Sequence, residues 1–219
     1  MKSKLFTVVG MGPGVSYSTA KLFARKGFRI AMIARNEQKL FDYKKEFESD
    51  GVEAFGYSAD AGDESSLRNV FDVISKNAGD TDVLHYNSFA MRQSKPIDLK
   101  YEDCINDFKV NVAGALLSSQ LVLPSMLERK SGCLLFTGGA FALEPMPAFT
   151  SLSIGKAGIR NLAFSLYAEL KSKNIHAATV TINGFVKPGT KWDPEFIAEA
   201  FYKLYEQKQG EFEREIIIS

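Results

Sequence analysis

Residues 150–158 read TSLSIGKAG, and in them Lys156 follows Leu152 by four positions. On a helix that spacing puts two side chains on one face, so Lys156 can hold an ammonium beside whatever position 152 carries. Leucine can neither give nor take a proton. A second group of residues points to phosphate chemistry. Residues 10–16, GMGPGVS, follow a β-branched apolar run and open a helical pattern. Gly10, Gly12 and Gly14 allow a tight turn and close backbone approach, while Val15 and Ser16 begin a helix whose free N–H groups and positive dipole end favour a pyrophosphate. Ser16 stands where a third glycine is expected; it is small enough to fit, and its hydroxyl is a candidate phosphate contact.

The end of the second strand distinguishes dinucleotides, because an acidic side chain there binds the adenosine ribose hydroxyls and a basic one accepts a 2′-phosphate. Here the chain reads AMIARN and offers Arg35 with no carboxylate. The expected cofactor is therefore NADP rather than NAD, with Arg35 clamping the phosphate. The plainer reading of Arg35 is a solvated charge at a helix start, where the dipole mildly disfavours a cation. Asp60, after the third strand, either bonds the adenine amino group or caps the following helix.

These residues need a scaffold, and the chain supplies one. Apolar β-branched runs alternate with helical periods, the pattern of βαβ units around a parallel sheet. Strands are expected at Leu5–Gly10, Phe28–Ala34, Val52–Ser58, Asp82–Tyr86, Cys133–Thr137, Ile175–Ile182 and Glu213–Ile218. Helices are expected at Val15–Lys26, Glu37–Ser49, Glu64–Asn77, Tyr101–Glu128, Ser151–Lys171 and Pro194–Gln207. Asn36, Asp63 and the Asp193-Pro194 pair read as helix starts, and Gly27, Gly51 and Gly79 as left-handed helix ends. The sum is an α/β fold, a Rossmann-type doubly wound parallel sheet of about seven strands in one domain over 1–219. The irregular stretch NGFVKPGTKWDP holds the sole tryptophan and suggests a lid at about 183–210.

Composition limits the function classes. The chain has 219 residues, 45% apolar, with 27 Lys+Arg against 26 Asp+Glu, so no global charge favours nucleic acid or an anionic membrane. No stretch is expected to reach the ~20 apolar residues of a spanning helix, and a cytoplasmic location is expected. Cys104 and Cys133 read as small apolar residues, and His85 and His176 lie near no carboxylate cluster, so no metal is expected.

Taken together, the residues resemble the short-chain dehydrogenase/reductase superfamily over almost the whole chain. GMGPGVS at 10–16 is similar to that family's TGxxxGxG loop, Asp60 to its adenine-contacting aspartate, DVLHYNS at 82–88 to its DxLVNNAG strand, and NVAG at 111–114 to the segment carrying its active-site asparagine. The resemblance implies an NAD(P)-dependent oxidoreductase of carbonyls or alcohols, with Ala61 and Asn87 also at the cofactor. It implies that Lys156 holds the nicotinamide ribose and that Asn111 organises a water relay. The family's proton-exchanging tyrosine falls on Leu152 and its carbonyl-orienting serine at about Gly139, within FTGGA. Substitutes for the lost groups are few: Thr137 for carbonyl orientation, and Tyr86 or His85 for the proton, only one of which can face the pocket since strand side chains alternate. Ser151 and Ser153 project away from position 152. A second Tyr-x-x-x-Lys, Tyr17 with Lys21, lies on the first helix, where the family has no catalytic pair. The small-residue run and FALEPMPAF form a pocket wall. The alternative to an enzyme is a catalytically inactive NADP(H)-binding sensor or scaffold; an empty Rossmann-like domain is the third reading. The resemblance further implies a homodimer or homotetramer through helices 101–128 and 151–171.

Overall fold

The computed structural model describes residues 3–219. Seven parallel strands form a single sheet in the order β3-β2-β1-β4-β5-β6-β7. They are β1 Leu5–Val9, β2 Arg29–Ala34, β3 Ala54–Ser58, β4 Val83–Tyr86, β5 Gly132–Gly139, β6 Ile175–Ile182 and β7 Glu215–Ile218. The order reverses between β1 and β4, which is where doubly wound sheets open a crevice at their carboxyl ends. Alternation along β1 divides the core: Leu5 and Val9 face one layer, Phe6 and Val8 the other. The first layer is covered by helices α3 (Glu64–Asn77), α5 (Gly114–Glu128) and α6 (Thr150–Leu170), the second by α1 (Val15–Arg25), α2 (Glu37–Ser49) and α7 (Pro194–Glu206).

Local chemistry sets the boundaries. Asn36 accepts from the Lys39 N–H at 2.9 Å, Asp63 from the Ser66 N–H at 2.7 Å and Asp193 from the Glu195 N–H at 2.9 Å, each cap worth about 1 kcal/mol. Gly27, Gly51 and Gly79 adopt φ of 88°, 77° and 96° at helix ends. β5 runs two residues past the expected Thr137, because Gly138 and Gly139 continue to pair with Thr181 and Ile182.

The expected helix 101–128 is not uniform. It comprises α4 (Tyr101–Phe108), a π-helical turn at Lys109–Ala113 and α5. A π turn frees carbonyls from the regular ladder, and the Tyr86 hydroxyl takes that of Val110 at 2.5 Å. Gly114 ends the turn where a Cβ would stand 2.1 Å from the Ala61 oxygen. The run is also more apolar than expected, since by length and composition its 28 residues would suffice to cross a membrane. It buries Asp107, Asn111, Ser118 and Ser119 against the protein instead, which marks a core helix.

The expected lid divides as well. α7 is a core element: Ile197, Phe201 and Leu204 are fully buried, and the helix packs on α1. Only residues 183–193 remain as a loop, leaving the carboxyl end of β6.

Candidate active site

The glycine loop leaves the carboxyl end of β1 beside the crevice. Gly10 takes φ +90°, and a Cβ there would meet Ser88 at 2.5 Å, so two loops touch through its missing side chain. Gly14, at φ +88°, precedes α1. Around Gly12 and Gly14 a Cβ would meet nothing within 4 Å. The loop therefore presents bare backbone to an open cradle, and α1 begins with neither a side-chain cap nor an acidic residue in its first turn. That is the chemistry of an anion site. Val15 and Ser16 are buried behind the loop. The Ser16 hydroxyl is turned inward, accepting from the Gly12 N–H at 3.0 Å and donating to the Gly12 carbonyl at 3.1 Å. It braces the loop, and the expected phosphate contact is corrected accordingly.

Arg35 lies exposed just beyond β2, and its guanidinium makes no ion pair among the described residues. Asp60, also exposed, accepts from the Gly62 N–H at 2.8 Å. It does not cap α3, a task Asp63 performs. Ala61 is buried beneath Gly114.

Asn87 ties this region to β5. Its Nδ2 donates to the Gly10 carbonyl at 3.1 Å, which directs its Oδ1 to Thr137 at 2.8 Å. A carbonyl has no hydrogen, so the proton positions are fixed in sequence: Thr137 donates to Asn87, and the His85 Nε2–H donates to Thr137 at 2.9 Å. His85 is completely buried between Phe6 and Phe201, with Nδ1 unpartnered. Burial pushes its pKa down to about 3, keeping it neutral. Two expectations fail here for one reason. Thr137 has no hydroxyl proton left for a substrate carbonyl, and His85 faces the α7 layer rather than a pocket. Tyr86 faces the opposite layer, fully buried, with its hydroxyl committed to Val110; burial raises its pKa well above the ordinary phenol value.

Asn111 sits in the π turn and clamps the loop after β4 from both ends of its amide. Its Oδ1 accepts from the Ala90 N–H at 2.7 Å and its Nδ2 donates to the Ala90 carbonyl at 3.2 Å. It packs on Gly155 of α6, where a Cβ would approach to 2.5 Å. Lys156 follows on the next residue. Its Nζ donates to the Thr137 carbonyl at 2.8 Å and lies 5.5 Å from the centroid of Phe89. No carboxylate pairs with it among the described residues, and burial pulls its pKa down to about 8. Gly139 lies against its stem, with Lys156 Cε 3.5 Å from where a Cβ would be.

Leu152 is buried, 5% exposed. The flanking hydroxyls are engaged elsewhere: Ser151 donates to Asp107 at 2.7 Å, and Ser153 donates to the Phe149 carbonyl at 3.0 Å. Asp107 in turn accepts from Arg92 at 3.0 and 3.3 Å, a network invisible to residue spacing because it joins three separate segments. The Tyr17–Lys21 pair is accounted for by Glu46: Tyr17 donates to it, and Lys21 reaches both at 3.3 Å, linking α1 to α2.

The described geometry joins a glycine loop, a desolvated lysine and a π-turn asparagine around one crevice. A family model for short chain dehydrogenases matches residues 4–193. The chain belongs to that family. It is 29% identical over 178 residues to a short chain dehydrogenase of Pseudocercospora fijiensis, covering 80% of this chain and 57% of that protein. It is 25% identical over 218 residues to an uncharacterized oxidoreductase of Staphylococcus aureus strain N315, covering 95% of this chain and 94% of the other. Among solved structures, a metagenomic short-chain oxidoreductase in complex with NADP aligns with a TM-score of 0.89 at 21% identity, over 99% of this chain and 97% of that one.

Proposed function

We propose that this member of the short-chain dehydrogenase family is an NADP(H)-dependent oxidoreductase that interconverts a carbonyl and an alcohol with an altered active site. Lys156 carries the reading: an ammonium desolvated without a counter-ion costs stability, and a cofactor ribose beside it repays that cost. The open cradle at Gly12 and Gly14 supports the same reading, since it leaves room for backbone approach to a pyrophosphate. In it, Gly10, Gly12, Gly14, Val15 and Ser16 form and brace the pyrophosphate turn, the unpaired Arg35 holds the 2′-phosphate, Asp60 and Ala61 flank the adenine, and Asn87 fixes the loop edge. NADP(H) supplies the hydride chemistry when bound.

The chain's own residues then orient the reacting groups. Lys156 holds the nicotinamide ribose, and Asn111 keeps the loop after β4 in place beside it. Leu152 and Gly139 occupy the positions of the proton donor and the carbonyl-orienting serine, so no side chain at either position moves a proton. Such a loss lowers a rate by about 10²–10⁴ without abolishing hydride transfer. Residues 183–193 are the segment proposed to cover the site. A homodimer or homotetramer through α4–α5 and α6 is proposed as well, supported by exposed Tyr101, Ile105, Phe108, Leu116 and Ile154 on those helices.

NADPH titration, followed by nucleotide fluorescence and by thermal melting, tests the assignment. Saturable binding with a raised melting temperature is expected; no change at millimolar NADPH would overturn it. The inactive sensor or scaffold is favoured by one observation, the commitment of every hydroxyl near Leu152, and predicts tight NADPH binding without turnover on any carbonyl.

A further inference from the structure

His176, 3% exposed, stands near the start of β6, at the end of the sheet away from the glycine loop. Both of its ring nitrogens meet main-chain oxygens. Nδ1 lies 2.9 Å from the Leu204 carbonyl, and Nε2 lies 2.7 Å from that of Glu213. A carbonyl has no hydrogen to give, and a neutral imidazole carries a single N–H. Only the imidazolium makes both bonds, whereas a neutral ring turns a bare lone pair toward one of the two oxygens.

The two acceptors differ in their freedom. Leu204 is fully buried in the last turn of α7 and packs in the core, so its carbonyl is held against the ring. Glu213 is exposed and ends the strap 208–213, which leads from α7 toward β7. Three side chains fasten this end of the strap. Gln207 accepts from the Glu213 N–H at 2.8 Å and donates to the Glu213 carboxylate at 2.7 Å, Tyr167 donates to the Phe212 carbonyl at 2.8 Å, and His176 holds the Glu213 carbonyl. Of these donors only His176 titrates near neutrality. A neutral ring therefore keeps its proton on Nδ1, toward the immobile Leu204, and gives up Glu213.

The surroundings decide which way protonation pushes the strap. From α7 the ring meets a helix C-terminus, whose carbonyls favour a cation, and Glu206 borders the same cleft. From the strap come the Phe212 ring, stacked on the imidazole at 4.4 Å and 7°, and the Glu213 carboxylate, which raises the pKa. Opposite on β5 is Cys133, kept a neutral thiol by burial. The other titratable groups at the cleft are Lys4, Asp82 and the phenols of Tyr202 and Tyr205. Burial opposes the charge and brings the His176 pKa below its ordinary 6.5. The core elements that bury the ring stay in place with the strap open or closed. What the strap itself adds is an acceptor, an aromatic face and a carboxylate, each of which favours the charged ring.

We propose that residues 208–213 form an acid-closed strap latched by His176: a proton taken up at Nε2 adds the bond to the Glu213 carbonyl, and its loss releases the strap. The latch is independent of the cofactor reading, since it lies at the far end of the sheet from the crevice. It adjoins the helix of Lys156 all the same. β7 follows the strap, and its Glu215 accepts from Arg160, one turn along α6 from Lys156, at 2.8 and 2.6 Å.

Two readouts on the full chain test the latch. In nitrogen NMR spectra of histidine-labelled protein, recorded from about pH 4.5 to 8, one ring should pass from protonation on both nitrogens to Nδ1–H alone. That ring is His176, because His85 stays neutral over this range. Over the same range, amide exchange corrected for the intrinsic rate should show the Glu211 and Glu213 N–H groups about tenfold better protected with the ring charged, the scale of a charged hydrogen bond. His176→Gln, which cannot titrate, should lose that pH dependence; the wild-type spectra and exchange rates decide alone if this variant does not fold. A ring that stays neutral down to about pH 4.5 overturns the proposal. So does a neutral ring with its proton on Nε2, a strap equally protected in both states, or the same pH dependence in His176→Gln.

Discussion

Lys156 of α6 donates to the main-chain oxygen of Thr137 in β5, 2.8 Å away, with no carboxylate among the described residues to balance its charge. Its pKa falls from 10.5 to about 8, so the folded chain binds this proton less well than the unfolded chain. Below pH 8 the group is charged in both states and the penalty is complete, at most about 3 kcal/mol. The penalty fades as pH rises from 8 to 10.5. Lys156→Met, similar in length and uncharged, should therefore stabilise the cofactor-free protein at pH 7 and lose that advantage by pH 10.5. Denaturant titrations at both values measure it, and the same variant should bind NADPH more weakly. A destabilised Lys156→Met at pH 7 would contradict the account.

Arg35 tests cofactor choice. A charged hydrogen bond to phosphate is worth about 1.5–3 kcal/mol, so Arg35→Ala should weaken NADPH binding about 10–100-fold. NADH, which lacks the 2′-phosphate, should bind the variant as it binds the wild type. Parallel fluorescence titrations decide this, and an equal loss for both nucleotides would remove Arg35 from the phosphate.

His85 tests the buried relay through acid stability. In the unfolded chain it takes up a proton near pH 6.5, whereas in the fold it does so only at about 3. Stability at neutral pH is unaffected by that difference, and falls as pH drops from 6.5 toward 3 because the unfolded state holds the extra proton. His85→Leu should flatten this limb by close to one proton. Its effect at pH 7 should be small, since the change also removes an unpartnered buried nitrogen. Unfolding free energies across pH 4–7 give the slope, and an unchanged slope would show that another group sets it.

The sequence revealed what short-range chemistry determines. Asn36, Asp63 and Asp193 mark helix starts because a cap acts within three residues, and the glycine turn is readable because it directly follows an apolar strand. Lys156 and Asn111 stand out only through the family resemblance of the segments that carry them. What spacing could not reveal were contacts between distant segments: Thr137 with Asn87, 50 residues apart, and Ser151 with Asp107, 44 apart. Those two bonds decide whether the remaining hydroxyls are available to a substrate. The π turn has the same origin, requiring Tyr86 and Ala61 to approach Val110 and Gly114. Ser16 was legible as a small residue in the loop, but the direction of its hydroxyl was set by Gly12.

Gly138 and Gly139 are adjacent, yet only one has room for a side chain. At Gly138 a Cβ would stand 2.7 Å from the hydroxyls of both Thr179 and Thr181. At Gly139, whose φ of −166° is extended, it would meet the Lys156 stem at 3.5 Å or more, an ordinary contact. Gly138→Ser should therefore destabilise by about 1–3 kcal/mol through overpacking, whereas Gly139→Ser should remain within about 0.5 kcal/mol of the wild type. The second substitution places a hydroxyl beside Lys156 in the crevice. Combined with Leu152→Tyr it should raise ketone-dependent NADPH oxidation about 10²–10⁴-fold, and above Leu152→Tyr alone, because the phenol then acts on an oriented carbonyl. Thermal melts separate the two glycine variants, and steady-state rates compare the single and double variants. Equal destabilisation by the two serines, or a double variant no faster than Leu152→Tyr, would show that Gly139 does not border the reacting carbonyl.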